Sequence, residues 1–333
     1  MNAVIKSIAS YLPENILTNE MLAAEFPDWT VEKIWTKIGI KERHIAIDET
    51  VTEMAVSAAK KLFTSTTIRP QDIDYILLCT QSPDYILPTS ACVIQHELGI
   101  PTYAGAIDFN QGCSGYIYGL SLAKGLISAQ IASNILLITS EAYSKHIHPT
   151  DKSNRAIFGD AATATWISTG IGLELKNFSL GTDGKGVENL IIKNGGSRFS
   201  KNFNKSYIDS NGNSRRDDYL FMNGSEIFNF TIEIIPNLIS NTLIKNNLII
   251  EDVKWFIFHQ ANSFMLKHLR KKIGISEDKF PVELAFTGNT VSSSIPLILE
   301  SLLKENKIME NDNLMLTGFG VGYSWGSVVL KAN

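Results

Sequence analysis

Asn110-Gln111-Gly112-Cys113-Ser114-Gly115 is the stretch on which the reading of this chain turns. An apolar strand pattern, Ala104 to Phe109, precedes it, and an apolar helical pattern follows through Tyr116, Leu120, Leu122, Ala123 and Leu126. A cysteine in the first turn of such a helix meets unpaired backbone N–H groups and the positive end of the helix dipole. Both favour thiolate, so the expectation is a thiol pKa below the free value of about 8.5. Gly112, Ser114 and Gly115 leave room for a substrate carbonyl beside the sulfur. The competing reading is a buried cysteine that only packs.

The second half of the chain decides between them, because it repeats the first. Asp72-Ile73-Asp74-Tyr75-Ile76-Leu77-Leu78-Cys79 is matched by Asp252-Val253-Lys254-Trp255-Phe256-Ile257-Phe258-His259. Each run leads into a helix ending in Gly-Ile, at Gly99-Ile100 and Gly274-Ile275. Each continues through a short strand to a glycine and a polar residue opening a helix, Gly112-Cys113 and Gly288-Asn289. Each closes on an apolar strand, 134–139 and 313–317, and roughly 175–180 residues separate the copies throughout. Strands alternating with helices predict parallel βαβ units with both faces covered. The expected fold is therefore α/β, with an N-terminal half over 1–170 and a C-terminal half over 171–333. A Gly-, Asn-, Ser-, Lys- and Arg-rich stretch near 182–217 reads as a lid-like excursion. A long helix near 221–246 follows it, with Pro236 inside.

Duplication has a chemical consequence. Functional groups of such sheets gather where strands end and helices begin. Cys113 and Asn289 fall at equivalent helix starts, and His259 ends a strand. Packed about a pseudo-dyad, the three offer a thiolate, an imidazole and an amide donor to one cavity. Alone, His259 would read as a core residue and Asn289 as a helix cap.

Composition sets the bounds. The chain has 333 residues, 44% hydrophobic, with a net charge of −4 and a mean hydropathy of +0.02. That charge offers no footprint for nucleic acid or an anionic membrane. No unbroken apolar run approaches the roughly 18 residues of a membrane span. Three cysteines, Cys79, Cys92 and Cys113, are too few and too far apart for a disulfide framework or a zinc site, which points to a reducing cytoplasm. His146 and His148 lack a third ligand, so no metal is expected. Gly318-Phe319-Gly320-Val321-Gly322 lacks the Lys-Ser/Thr of a nucleotide loop and reads as a tight turn exposing N–H groups.

Taken in order, these motifs resemble the β-ketoacyl-acyl-carrier-protein synthase III family of the thiolase superfamily. The resemblance spans nearly the whole chain: Ser10-Tyr11-Leu12-Pro13-Glu14, Gly39-Ile40-Lys41-Glu42-Arg43-His44-Ile45, Cys113-Ser114-Gly115, Pro149-Thr150-Asp151 and Phe158-Gly159-Asp160. It continues through His259-Gln260-Ala261-Asn262, Gly288-Asn289-Thr290 and Trp325-Gly326-Ser327. It implies a five-layered αβαβα fold, a homodimer, and acyl-carrier protein and acyl thioesters as partners, with no cofactor. It also implies a decarboxylating Claisen condensation through acyl-Cys113, in fatty-acid or polyketide-like biosynthesis. His259 and Asn289 would hold the enolate oxygen, and the N–H groups of Cys113 and the Gly320-Val321 turn the acyl oxygen. Phe319 would crowd the malonyl carboxylate, and Leu87 would reach the partner subunit's acyl pocket. Lys267, Arg270, Lys271 and Lys272 would dock the carrier.

The family's CoA-binding region matches Lys33, Lys37, Lys152 and Asn262, but Lys33 and Lys152 replace the Trp and Arg that clamp adenine. Phe264 replaces an Arg. Lysine cannot stack as a planar guanidinium does, so a carrier-bound or unusual acyl donor is expected. A thiolase would need a second cysteine in the late glycine turn, and a hydroxymethylglutaryl-CoA synthase a glutamate near the first. The remaining alternative is acyl transfer to an alcohol or amine without a carbon–carbon bond.

Overall fold

The computed structural model describes residues 2–199, 206–209 and 214–333. Its centre is a nine-stranded sheet. From one edge the strands run Val253–Phe258, Asn313–Gly320, Ser324–Ala332, Leu173–Thr182, Val4–Tyr11, Ala161–Ser168, Ile135–Glu141, Tyr75–Cys79 and Gly105–Phe109. Outward from the middle pair, each half takes its strands in the same sequence order, so the duplication read from the chain is a duplication of topology. The halves meet through a short antiparallel pairing, Val4 with Glu174 and Ile5 with Leu173. Parallel pairing is confined to the outer strands of each half; the strands nearer the centre are antiparallel.

Helices complete five layers. Val51–Ser65 and Ser90–Glu97 cover the outer face of the first half, and Gly224–Lys245 packs on that of the second with Ser263–Ile273 against it. Gly115–Ser128 and Ser294–Lys304 lie between, each touching strands of both halves. The middle position explains the composition of Gly115–Ser128: Tyr116, Ile117, Leu120, Ala123 and Ile127 are all buried, as a helix covered on both sides requires. Gly119 admits Leu137, whose Cδ1 would lie 2.6 Å from an added Cβ. Thr50 and Glu53 close a capping box on Val51–Ser65. The 22-residue helix Gly224–Lys245 carries Pro236 and is long and apolar enough to cross a bilayer. Here it is a core helix whose Ile227, Phe230, Ile235, Leu238, Ile239 and Leu243 are buried.

Two expectations are corrected. The second half has no counterpart of Gly105–Phe109 among the described residues. Pro281 lacks a ladder donor, and the segment bonds elsewhere: Glu283 N–H to Gln260 Oε1, and Lys41 N–H to the Ala285 carbonyl. Within the excursion Tyr207–Ile208 pairs with Ser214–Arg215, Leu190–Ile191 pairs with Phe221–Met222 just beyond it, and buried Arg215 fastens the stretch to Asp151. Residues 200–205 and 210–213 of that predicted lid lie outside the described residues.

Candidate active site

Cys113 sits just ahead of the Gly115–Ser128 helix, with Ser114 as N-cap. The end of the Asn313–Gly320 strand presses on it. A Cβ on Gly318 would lie 2.8 Å from the Cys113 carbonyl oxygen, and one on Gly320 2.9 Å from Cys113 Cβ and Sγ. Gly318 and Gly320 therefore belong to the strand and permit close approach; the turn proper begins at Val321. The N–H groups of Cys113 and Val321 face the sulfur and favour thiolate. They do not win. Burial, and then the Glu141 carboxylate, push the thiol up to about 12, reversing the expected depression. Desolvation outweighs two N–H dipoles.

His259 follows the last residue of Val253–Phe258, and its N–H donates to the Thr317 carbonyl at 2.8 Å. Phe319, two residues beyond Thr317, sets its ring edge-on to the imidazole at 5.7 Å and 83°. Nδ1 lies 2.8 Å from Ser294 Oγ. Burial pulls the imidazole down to about 3, so it is neutral.

Asn289 is held by its own backbone. Its N–H donates to the Ile157 carbonyl at 2.9 Å, and its carbonyl accepts from Gly159 N–H at 3.0 Å. Gly159 is obligatory there, since an added Cβ would fall 2.1 Å from the Thr287 carbonyl oxygen. Beneath this bridge lies buried Arg43, donating to the Ala156 carbonyl and Asn19 Oδ1. Asn289 Oδ1 accepts from Val291 N–H, which leaves Nδ2 with no partner among the described residues. Asn289 is not at a helix start as Cys113 is: a 3-10 turn, Val291–Ser293, intervenes before Ser294–Lys304.

One strand end thus touches Cys113 through Gly320 and His259 through Phe319. Ser294 and Val291 link His259 to Asn289. The three residues read from the sequence are brought together. Phe319, Gly320 and Val321 lie between them, and a cavity of about 840 Å³ opens beside Val321, Gln81, Asn110, Tyr143 and His146.

Glu141 was missed. It is fully buried, accepting from Gln81 N–H at 3.0 Å and Ser292 Oγ at 2.9 Å, and burial raises its carboxyl to about 8. In sequence it is one more residue after an apolar strand. Val291 was missed too, because nothing in a valine announces a φ of +54°.

The peripheral residues are dispersed. Lys33 donates to the Asp28 carbonyl at 2.9 Å, and Lys152 pairs with the Asp28 carboxylate. Asn262 Oδ1 caps the Ser263–Ile273 helix and lines a groove with Phe228 and Phe264; Lys37 is exposed. Arg270 is committed to Glu277 at 2.9 Å, whereas Lys267, Lys271 and Lys272 stay exposed without an ion pair among the described residues. Leu87 is 79% exposed and lines none of the cavities just described.

A buried cysteine at a helix start, faced by a neutral imidazole and an amide across a duplicated five-layer fold, defines a thiolase-like condensing transferase. Residues 107–184 match the family described as 3-oxoacyl-[acyl-carrier-protein] synthase III, and residues 243–332 its C-terminal counterpart. A β-ketoacyl-[acyl-carrier-protein] synthase III of Clostridium perfringens is 35% identical, covering 99% of both chains. A crystal structure of a 3-oxoacyl-(acyl-carrier-protein) synthase III superposes with a TM-score of 0.97 at 48% identity, covering 99% of this chain and 100% of that one. The priming β-ketosynthase of the R1128 polyketide pathway superposes at 0.87 with 25% identity, covering 99% and 96%. The chain belongs to the 3-oxoacyl-acyl-carrier-protein synthase III family.

Proposed function

We propose that this enzyme condenses an acyl thioester with a malonyl-acyl-carrier protein, releasing CO2 and giving a β-ketoacyl product for fatty-acid biosynthesis. The observation that carries this reading is the single strand end set against both Cys113 and His259, with the Asn289 amide linked to His259 through Val291 and Ser294.

Cys113 sulfur attacks the acyl thioester carbonyl and expels the donor thiol. The N–H groups of Cys113 and Val321 stabilise the oxygen that carries charge meanwhile. The malonyl thioester then offers its carbonyl oxygen to Asn289 Nδ2 and His259. Its carbon–carboxylate bond breaks, the electron pair becomes the enolate, and CO2 leaves past the apolar ring of Phe319. The enolate carbon attacks acyl-Cys113, the carbon–sulfur bond breaks, and the sulfur leaves as thiolate and takes up a proton to restore the Cys113 thiol. The Asn289 amide suits an enolate oxygen, and an amide cannot serve as a base toward an alcohol or amine.

The donor is carrier-bound in this reading. Lys33 and Lys152 are engaged by Asp28, and neither ammonium offers an adenine ring the planar face of a guanidinium. Lys267, Lys271 and Lys272 form the face for an acidic carrier, with Arg270 serving its own helix end. A second copy completes the molecule. Gly105–Phe109 is an open sheet edge with exposed Ile107 and Tyr103, and Tyr85, Ile86 and Leu87 project beside it. The test is a donor and extender panel read by product mass. A β-ketoacyl product with CO2 supports the proposal; acyl transfer to an alcohol or amine without CO2 overturns it. Rapid labelling of Cys113 by acetyl-CoA alone would overturn the donor assignment.

A further inference from the structure

We propose that Ser294, through its hydroxyl, decides which imidazole nitrogen of His259 carries the proton, donating to Nδ1 and so placing the N–H on Nε2. Ser294 is a positioning residue in this proposal, which rests on the condensation described above.

The argument is a count of protons. Ser294 Oγ is buried and has three neighbours: His259 Nδ1 at 2.8 Å, the Val291 carbonyl at 3.0 Å and Gln260 N–H at 3.3 Å. Gln260 N–H can only donate, and it takes one lone pair of the hydroxyl. The single hydroxyl proton then goes to Val291 or to His259. The Val291 carbonyl does not depend on it, because it also accepts from the Ser294 backbone N–H. The hydroxyl can therefore turn to Nδ1 without orphaning a buried carbonyl.

The two settings differ in chemistry. With the hydroxyl on Val291, Nδ1 must be the N–H, and Nε2 presents a lone pair. With the hydroxyl on Nδ1, that nitrogen accepts and Nε2 becomes the donor. Burial keeps the ring neutral, so it has only one N–H to place. An oxygen gaining negative charge is stabilised by a donor and repelled by a lone pair. Asn289 supplies its free Nδ2 from the other side of the same turn. The Ser294 effect should therefore fall on malonyl decarboxylation, where the enolate forms, and leave acyl transfer to Cys113 nearly untouched.

Ser294→Ala tests this sharply. In the wild type the Val291 carbonyl also faces the ring and competes with the hydroxyl by favouring Nδ1–H. Without the hydroxyl it is the partner left, and Nδ1–H donating to it fixes the opposite tautomer. Three measurements are made on the full-length enzyme with malonyl-pantetheine as probe. CO2 release should fall on the order of 10²–10³-fold, the range for losing one oxyanion donor. Acylation of Cys113, read by mass, should stay within a few-fold. In ¹⁵N-histidine spectra, the signal that disappears in His259→Ala should be protonated at Nε2 in the wild type and at Nδ1 in Ser294→Ala. Ser294→Thr, which keeps a hydroxyl, should restore both the tautomer and CO2 release. A wild-type ring protonated at Nδ1, undiminished CO2 release in Ser294→Ala, or equal loss of acylation and decarboxylation would overturn the proposal. If the wild type released no CO2, the condensation reading would fail instead, and the spectra would still report on Ser294.

Discussion

The Val291 N–H donates to Asn289 Oδ1 at 2.9 Å from a backbone held at φ +54°. A buried β-branched residue in the left-handed region costs about 1–3 kcal/mol, sustained by its surroundings. That conformation puts the Val291 N–H on Asn289 while its carbonyl receives Ser294. With Oδ1 engaged, the amide can turn only its NH2 to a substrate. Asn289→Asp keeps an acceptor for Val291 and replaces the donor with a negative charge. Malonyl decarboxylation should fall by at least about 10²-fold, while Cys113 still acquires an acyl group. CO2 release and the mass of the acyl-enzyme check the two halves; a variant that still decarboxylates would remove Asn289 from the enolate site.

Gly320→Ala tests the opposite wall. The new Cβ would fall 2.9 Å from Cys113 Cβ and Sγ, so the nucleophile must shift. Misplacement of about 1 Å can cost 10²-fold in rate, and Cys113 acylation should drop accordingly with little change in melting temperature. Gly159→Ala strikes backbone instead, 2.1 Å from the Thr287 carbonyl oxygen, and should lower the melting temperature as well. Equal melting losses in the two variants would contradict this division.

Much of this was legible beforehand, and the rest was not for physical reasons. The 175–180-residue offset predicted the repeated strand order, because strand and helix periodicity survives in each copy. Cys113 and His259 stood out because one precedes a helix and the other follows a strand at matched places; Asn289 stood out by the same match, although a 3-10 turn separates it from its helix. What escaped was depth and conformation. The dipole argument for Cys113 was sound in direction, but burial and Glu141 reversed its outcome. The missing second-half strand turns on Pro281 and Gln260, whose side chain takes a backbone N–H that a neighbouring strand would otherwise receive.

Glu141 makes Cys113 testable directly. Its carboxylate is the second cause, after burial, of the raised thiol pKa. Glu141→Gln keeps a hydrogen-bonding group for Gln81 N–H and Ser292 while deleting the charge. The thiol should ionise at lower pH, and iodoacetamide should alkylate Cys113 faster at mildly alkaline pH. The pH profile of alkylation gives the answer. A profile identical to wild type would mean that Glu141 is screened from the sulfur.

The same residue predicts how stability varies with pH. Its carboxyl is raised from an ordinary 4.5 to about 8, with burial the leading cause. A raised folded-state pKa means the folded protein holds the proton longer than the unfolded chain. That contribution is fully present below 4.5 and is lost as the pH climbs through 8. His259 acts in the other direction: lowered from 6.5 to about 3, it contributes above 6.5 and loses that as the pH falls toward 3. Glu141→Gln removes only the first loss. Melting temperatures of the variant and wild type, compared across the 4.5–8 window, should diverge in favour of the variant as pH rises. A gap that stays constant or closes would show that Glu141 ionises in the folded protein as readily as in the unfolded chain.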